Sequence, residues 1–129
     1  MANCSCNCEC DSAPKLIFPC SGASDTGELS DQTARRMTRD GNGSMACLAG
    51  IGGRVSGILL SAEAAGAILA IDGCPLNCAK KTLELAGIKN IRHIQLSELG
   101  YFKGKTEVNE EHIARVAEKG KHLLKELLI

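Results

Sequence analysis

Apolar and polar positions alternate along the chain between short apolar runs and longer stretches of helical period. Lys15-Leu16-Ile17-Phe18-Pro19 is a short apolar run closed by Cys20-Ser21-Gly22, which predicts a strand and then a turn. Within residues 25–39 a helix is expected from about Leu29, with Ser30 as its cap and Leu29, Ala34 and Met37 facing the core. Asp40-Gly41-Asn42-Gly43 predicts a loop, because Asn and Gly tolerate left-handed backbone. The period over 44–50 fits either a second strand ending near Cys47 or the first turn of a helix, with Gly50, Gly52 and Gly53 favouring a turn afterwards. A short helix is expected over 54–65, and the apolar run 67–71 predicts a buried strand. Pro75 then suits the first position of a helix over 75–86, with Leu76, Ala79, Leu83 and Ala86 as its buried stripe and Gly87 as its stop. Residues 91–96 alternate as a strand, and 100–108 read as a loop. The last helix starts at Asn109, with Glu110 and Glu111 in its first turn and Lys119, Lys121 and Lys125 towards its end, as the helix dipole favours. Its apolar stripe is Ile113, Val116, Ala117, Leu124 and Leu127.

Strand and helix alternating in this way place the chain in the α/β class. The expected fold is a small, doubly wound, mainly parallel sheet with flanking helices. Sites in such sheets form outside the carboxyl ends of the strands. Cys20 and Cys74 fall at that end, and Cys47 falls there if a strand precedes it. The domain organisation that follows is a Cys-rich tail over residues 1–13 and a single α/β metal-binding domain over 14–129. The tail has almost no apolar surface to bury and is expected to be flexible without metal.

Composition narrows the function. Fifteen basic and fifteen acidic residues cancel, so no charge draws the chain to nucleic acid or to an anionic membrane. Three aromatic residues give little surface for stacking bases. The most apolar window, 58–71, is too short to span a bilayer and carries Glu63. Met1-Ala2-Asn3-Cys4 lacks the basic and apolar regions of a secretory leader, so the expected compartment is the cytoplasm. In that reducing setting eight cysteines imply metal or thiol chemistry rather than cross-links.

The densest chemistry lies in Ala70-Ile71-Asp72-Gly73-Cys74-Pro75-Leu76-Asn77-Cys78. With Pro75 opening a helix, Cys74 sits at its N-cap and Cys78 one turn on, both on one face. The partial positive charge there suits either a metal-ligand pair or a reactive thiol pair. Cys4, Cys6, Cys8 and Cys10 stand at alternate positions in the tail. Alternate residues of an extended chain are about 6.6–7 Å apart. Sulfurs about 2.3 Å from one zinc are only roughly 3.8 Å apart. The tail must therefore curl around an ion or share ions with other ligands, and its thiols also suit soft ions such as Cu(I). Gly41-x-Gly43-x-x-Ala46 and Gly50-x-Gly52 lack the strand–turn–helix setting or the third small residue of a dinucleotide fingerprint. His112 and His122 belong to a charged helix face, and His93 reads as a packed strand histidine.

Three blocks, Pro19-Cys20-Ser21-Gly22, Met45-Ala46-Cys47-Leu48-Ala49-Gly50 and Ile71-Asp72-Gly73-Cys74-Pro75-Leu76-Asn77-Cys78, resemble the DGC family, named for its Asp-Gly-Cys motif. The resemblance runs from about Lys15 to the Lys103 region and implies a zinc-binding protein whose four characteristic cysteines are Cys20, Cys47, Cys74 and Cys78. It says nothing of the tail and implies no enzymatic activity. A four-thiolate zinc site is closed and structural rather than catalytic, and an iron–sulfur cluster would use the same ligands. Four thiolates and one Zn²⁺ leave two negative charges in need of N–H donors. The helix start over 75–79 and the glycine turns at Gly22 and Gly73 are the expected source. Asp72 adds a further negative charge and stands out for that reason.

The leading expectation is a zinc-binding module with a sensor, docking or structural role, its partner a metal ion, with no protein partner assigned. The alternatives are a thiol enzyme of persulfide, disulfide or selenium chemistry acting through Cys74 or Cys20, and a soft-metal buffer or carrier acting through the tail.

Overall fold

The computed structural model describes residues 13–126. Cys4, Cys6, Cys8, Cys10 and Leu127 lie outside the described residues. The elements in chain order are β1 (Lys15–Pro19), α1 (Asp25–Arg39), β2 (Ser44–Met45), α2 (Leu48–Gly52), α3 (Ser56–Ala64), β3 (Ala67–Asp72), α4 (Cys78–Leu85), β4 (Ile91–Gln95) and α5 (Glu110–Lys125), with a 3₁₀ turn over Leu96–Leu99.

The four strands form one all-parallel sheet in the order β2-β1-β3-β4. This is the doubly wound α/β class expected from the alternation of elements. Every residue of β3 is buried, as the central position of an apolar strand requires. Side chains alternate across the sheet. Ile17, Leu69, Ile71 and Ile94 join Leu29, Ala34 and Met37 of α1 and Ile113, Val116, Ala117 and Leu124 of α5 in one core cluster. Phe18, Ile68 and Ala70 join Ile51, Ala62, Ala79 and Leu83 in another cluster, supplied by α2, α3 and α4. Arg92 is buried on the α5 side of β4, where its guanidinium donates to the Leu123 and Glu126 carbonyls and closes the C-terminus of that helix. Among the described residues no helix is long and apolar enough to cross a membrane.

Two helix starts differ from expectation. α1 begins at Asp25, four residues before Leu29, because Ser24 rather than Ser30 is the cap and accepts the Gly27 N–H at 3.1 Å. Ser30 lies inside the helix and donates to the Thr26 carbonyl at 3.0 Å. The ambiguous stretch is divided between both readings, as β2 and then α2 with Cys47 at its N-cap position. Gly50 and Gly52 belong to α2 rather than to a turn after it, since burying Ile51 outweighs the low helix propensity of glycine. The third difference, at α4, belongs to the candidate site.

Close backbone approach packs the N-terminus of α1 against the ends of β1 and β3. A Cβ on Gly27 would stand 2.5 Å from the Gly22 carbonyl oxygen, and one on Gly73 would stand 2.9 Å from the backbone carbon of Thr26. Asp25 ties the loop ahead of α5 to the same place, accepting the Gly104 N–H at 2.9 Å and the Thr106 N–H at 3.0 Å. Those bonds, with Gly104 first, hold its carboxyl below the ordinary value of 3.8. A carboxyl with a depressed folded-state pKa stabilises the fold above its unfolded value, and that contribution disappears as pH falls through the folded one. Asp25→Asn is therefore expected to flatten the stability loss measured by denaturant titration below about pH 4, whereas an unchanged acid limb would contradict this role.

Candidate metal centre

Four cysteines lie just beyond the carboxyl ends of three adjacent strands. Cys20 directly follows β1, and its N–H donates to the Ile71 carbonyl at 2.7 Å, so the ladder between β1 and β3 runs one residue past Pro19. It is half-buried, packed against the cluster beneath α4. Cys47 follows β2 by two residues, is exposed, and gives no side-chain cap to α2. Cys74 follows β3 by two residues and is half-buried, while Cys78 is the exposed first residue of α4. All four are free thiols. β1 and β3 are the neighbours at which the chain reverses its direction of progress across the sheet, the place where open α/β sheets take their ligands.

Pro75 does not open a helix. Cys74 to Asn77 form a turn closed by the Asn77 N–H on the Cys74 carbonyl at 3.2 Å, and α4 starts at Cys78. Asn77 holds left-handed backbone (φ 56°, ψ 46°), which Asn adopts more readily than most residues. Cys74 and Cys78 thus flank a turn instead of sharing a helical face, and Leu76, expected to be buried, is 61% exposed.

The physical reason is Asp72, which is 1% exposed. Its carboxylate accepts the Ala79 N–H at 2.7 Å and the Lys80 N–H at 3.1 Å, capping α4 from seven and eight residues upstream. Proline as the first helical residue is a local preference, and the remote cap overrides it by setting where the first turn must lie. The Ala79 N–H, expected to face cysteine sulfurs, therefore faces Asp72, as does that of Lys80. His93 of β4 adds a third partner, its Nε2 standing 2.8 Å from Asp72 Oδ2. The expected packing of His93 in its strand is found, with its ring half-buried on the α4 face. The pairing with Asp72 was not anticipated. The one signal for it was an acid at the end of a wholly apolar strand, a position that demands donors.

On the β2 side of the rim an open cleft of about 770 Å³ is lined by Ser21, Asp31, Arg35, Met45, Cys47 and Thr82, among others. Burial works to raise the Asp31 carboxyl, but hydrogen bonds from Arg35 (2.6 Å) and Ser21 (2.7 Å) outweigh it and hold the group low.

The donor set suits a soft or borderline cation in kind and number. Asn77 Oδ1, between Cys74 and Cys78 in the sequence, is buried with no hydrogen-bond partner among the described residues. The thiols are not gathered into a finished cage. Among the described residues no three Cys, His, Asp or Glu side chains stand together closely enough to hold a metal ion.

The model of the DGC domain matches residues 16–119, and with them the three cysteine blocks. The chain belongs to the DGC domain family. It is similar to the anaerobic and virulence modulator AnvM of Pseudomonas aeruginosa, 39% identical over 88 residues, which cover 68% of this chain and 67% of that protein. No solved structure matches the chain.

Removing the remote cap leaves three donors without their acceptor. Asp72→Ala is expected to lower the unfolding free energy by about 2–4 kcal/mol, and Ser24→Ala, which removes a single local cap bond, by about 1 kcal/mol. Urea titrations giving equal losses for the two would refute the larger role assigned to Asp72.

Proposed function

We propose that this DGC protein is a zinc-binding module whose sulfur rim, once loaded, serves as a sensor or docking surface. The observation that carries the reading is the delivery of Cys20, Cys47, Cys74 and Cys78 to one rim by the loops after β1, β2 and β3. The turn at Cys74 and the start of α2 at Cys47 are short, and closure there would bring their thiols to an ion shared with Cys20 and Cys78.

Zinc held by four thiolates has no open coordination position and polarises no substrate. Its contribution would be conformational, tying the three loops after β1, β2 and β3 to one another. A rim that changes shape on loading gives a physical form to regulation, and the relative from Pseudomonas aeruginosa is named a modulator. The thiol-enzyme alternative relied on the start of α4 facing Cys74, and two of the N–H groups there face Asp72. The tail cysteines Cys4, Cys6, Cys8 and Cys10 would hold soft metal separately from the rim.

Protein purified anaerobically, with the four tail cysteines changed to Ser, is expected to retain about one zinc per chain. At free zinc of roughly 100 times its Kd, the metal adds about 2.7 kcal/mol, or a rise of about 10 °C in melting temperature. Cys74→Ser should abolish most of that rise. A reduced, folded protein that takes up no zinc and melts at the same temperature with or without chelator would refute the reading, and iron with sulfide in place of zinc would reassign the metal.

A further inference from the structure

The cap of α4 is built in an unexpected way. Asn77 occupies the N-cap position, and its side chain is of a type that caps well, yet it makes no cap bond and its Oδ1 has no partner. The helix is held from the sheet instead, by a carboxylate that is 1% exposed. Burying that charge is costly unless donors surround it, whereas an Asn cap would bury none. The arrangement gains something a local cap lacks: it ties the first turn of α4 to the end of β3 and, through His93, to β4.

We propose that Asp72 and His93 are positioning residues for the sulfur rim, holding Cys78 in a fixed relation to Cys20 when a metal is taken up. This rests on the zinc reading of the rim given above. Cys78 immediately precedes Ala79 and Lys80, whose N–H groups Asp72 holds. Cys20 is held to β3 through the Ile71 carbonyl, one residue before Asp72. Two of the four sulfurs are therefore referenced to adjacent residues of one buried strand. His93 supplies the donor that occupies the more weakly held oxygen of Asp72, where the Lys80 N–H lies at 3.1 Å against 2.7 Å for Ala79 on the other. Without it Oδ2 keeps only the longer Lys80 bond, and the start of α4 is held less firmly to the sheet.

The test uses the full chain with the four tail cysteines changed to Ser, titrated with zinc against a competing chromophoric chelator. His93→Leu and Asp72→Asn should weaken zinc binding about 10- to 100-fold without changing the stoichiometry. His93→Gln, which keeps an N–H donor, should stay within about threefold of the parent. In the zinc-free protein, alkylation of Cys78 relative to Cys47 should rise several-fold in His93→Leu and return towards the parent ratio in His93→Gln. If Asp72→Asn does not fold, the two His93 variants decide the matter. Parent-like affinity and an unchanged alkylation ratio in folded His93→Leu would overturn the proposal. If the parent itself takes no zinc, the function proposed above fails, and the alkylation ratio alone decides whether the pair positions Cys78.

Discussion

Asp72 stands at the last position of the most buried strand and gives its oxygens to two N–H groups of α4 and to His93. An ionised carboxyl in such a place survives only when its acceptor sites are filled, so the surrounding backbone has to bring donors to it. The first turn of α4 does so, and the chain between strand and helix must then bulge outward. That bulge is the turn carrying Cys74, and its end is the left-handed Asn77 directly before Cys78. The acid of the Asp-Gly-Cys motif thereby accounts for the glycine as well. With β3 ending there, Gly73 lies against the Thr26 backbone, where a Cβ would not fit. The three residues of the motif answer to three demands at one strand end: a charge to anchor a helix, a gap for a neighbouring backbone, and a sulfur on the rim.

The strand order supplies the rest of the arrangement. β2, β1 and β3 are adjacent and parallel, so the residues that follow them emerge on one edge of the sheet. Cysteines separated by up to 58 positions in the sequence, Cys20 and Cys78, share that edge without any long connection. Cys20 is tied to the core by backbone and packing, Cys78 opens the helix that Asp72 caps, and Cys47 and Cys74 lie in short connections.

Much of this was legible in the sequence wherever the deciding interactions are local. The run 67–71 is buried throughout, and the stripe from Ile113 to Leu124 packs as its period requires. Asn109 caps α5 by accepting the His112 N–H at 2.8 Å, as its position ahead of two glutamates suggests. The rim position of Cys20 and Cys74 was also legible, because strand ends locate them in a parallel sheet. The errors fall at two helix starts, one decided between two local caps and one by a distant group. Ser30 had the form of a cap but serves the helix interior, while Ser24 caps across a turn that contains Gly27. Pro75 had the form of a first helical residue, yet Asp72 places the helix start beyond it. The partnership of Asp72 with His93 joins neighbouring strands 21 positions apart, and no period or spacing encodes it.

If Cys20, Cys47, Cys74 and Cys78 close around one ion at the carboxyl edge of the sheet, X-ray absorption at the zinc edge, on protein whose tail cysteines are changed to Ser, will show it. Four sulfur neighbours at about 2.3 Å are expected, falling to three with one lighter ligand when Cys20 is changed to Ser. A shell of oxygen or nitrogen alone, or one indifferent to the loss of Cys20, would contradict that closure.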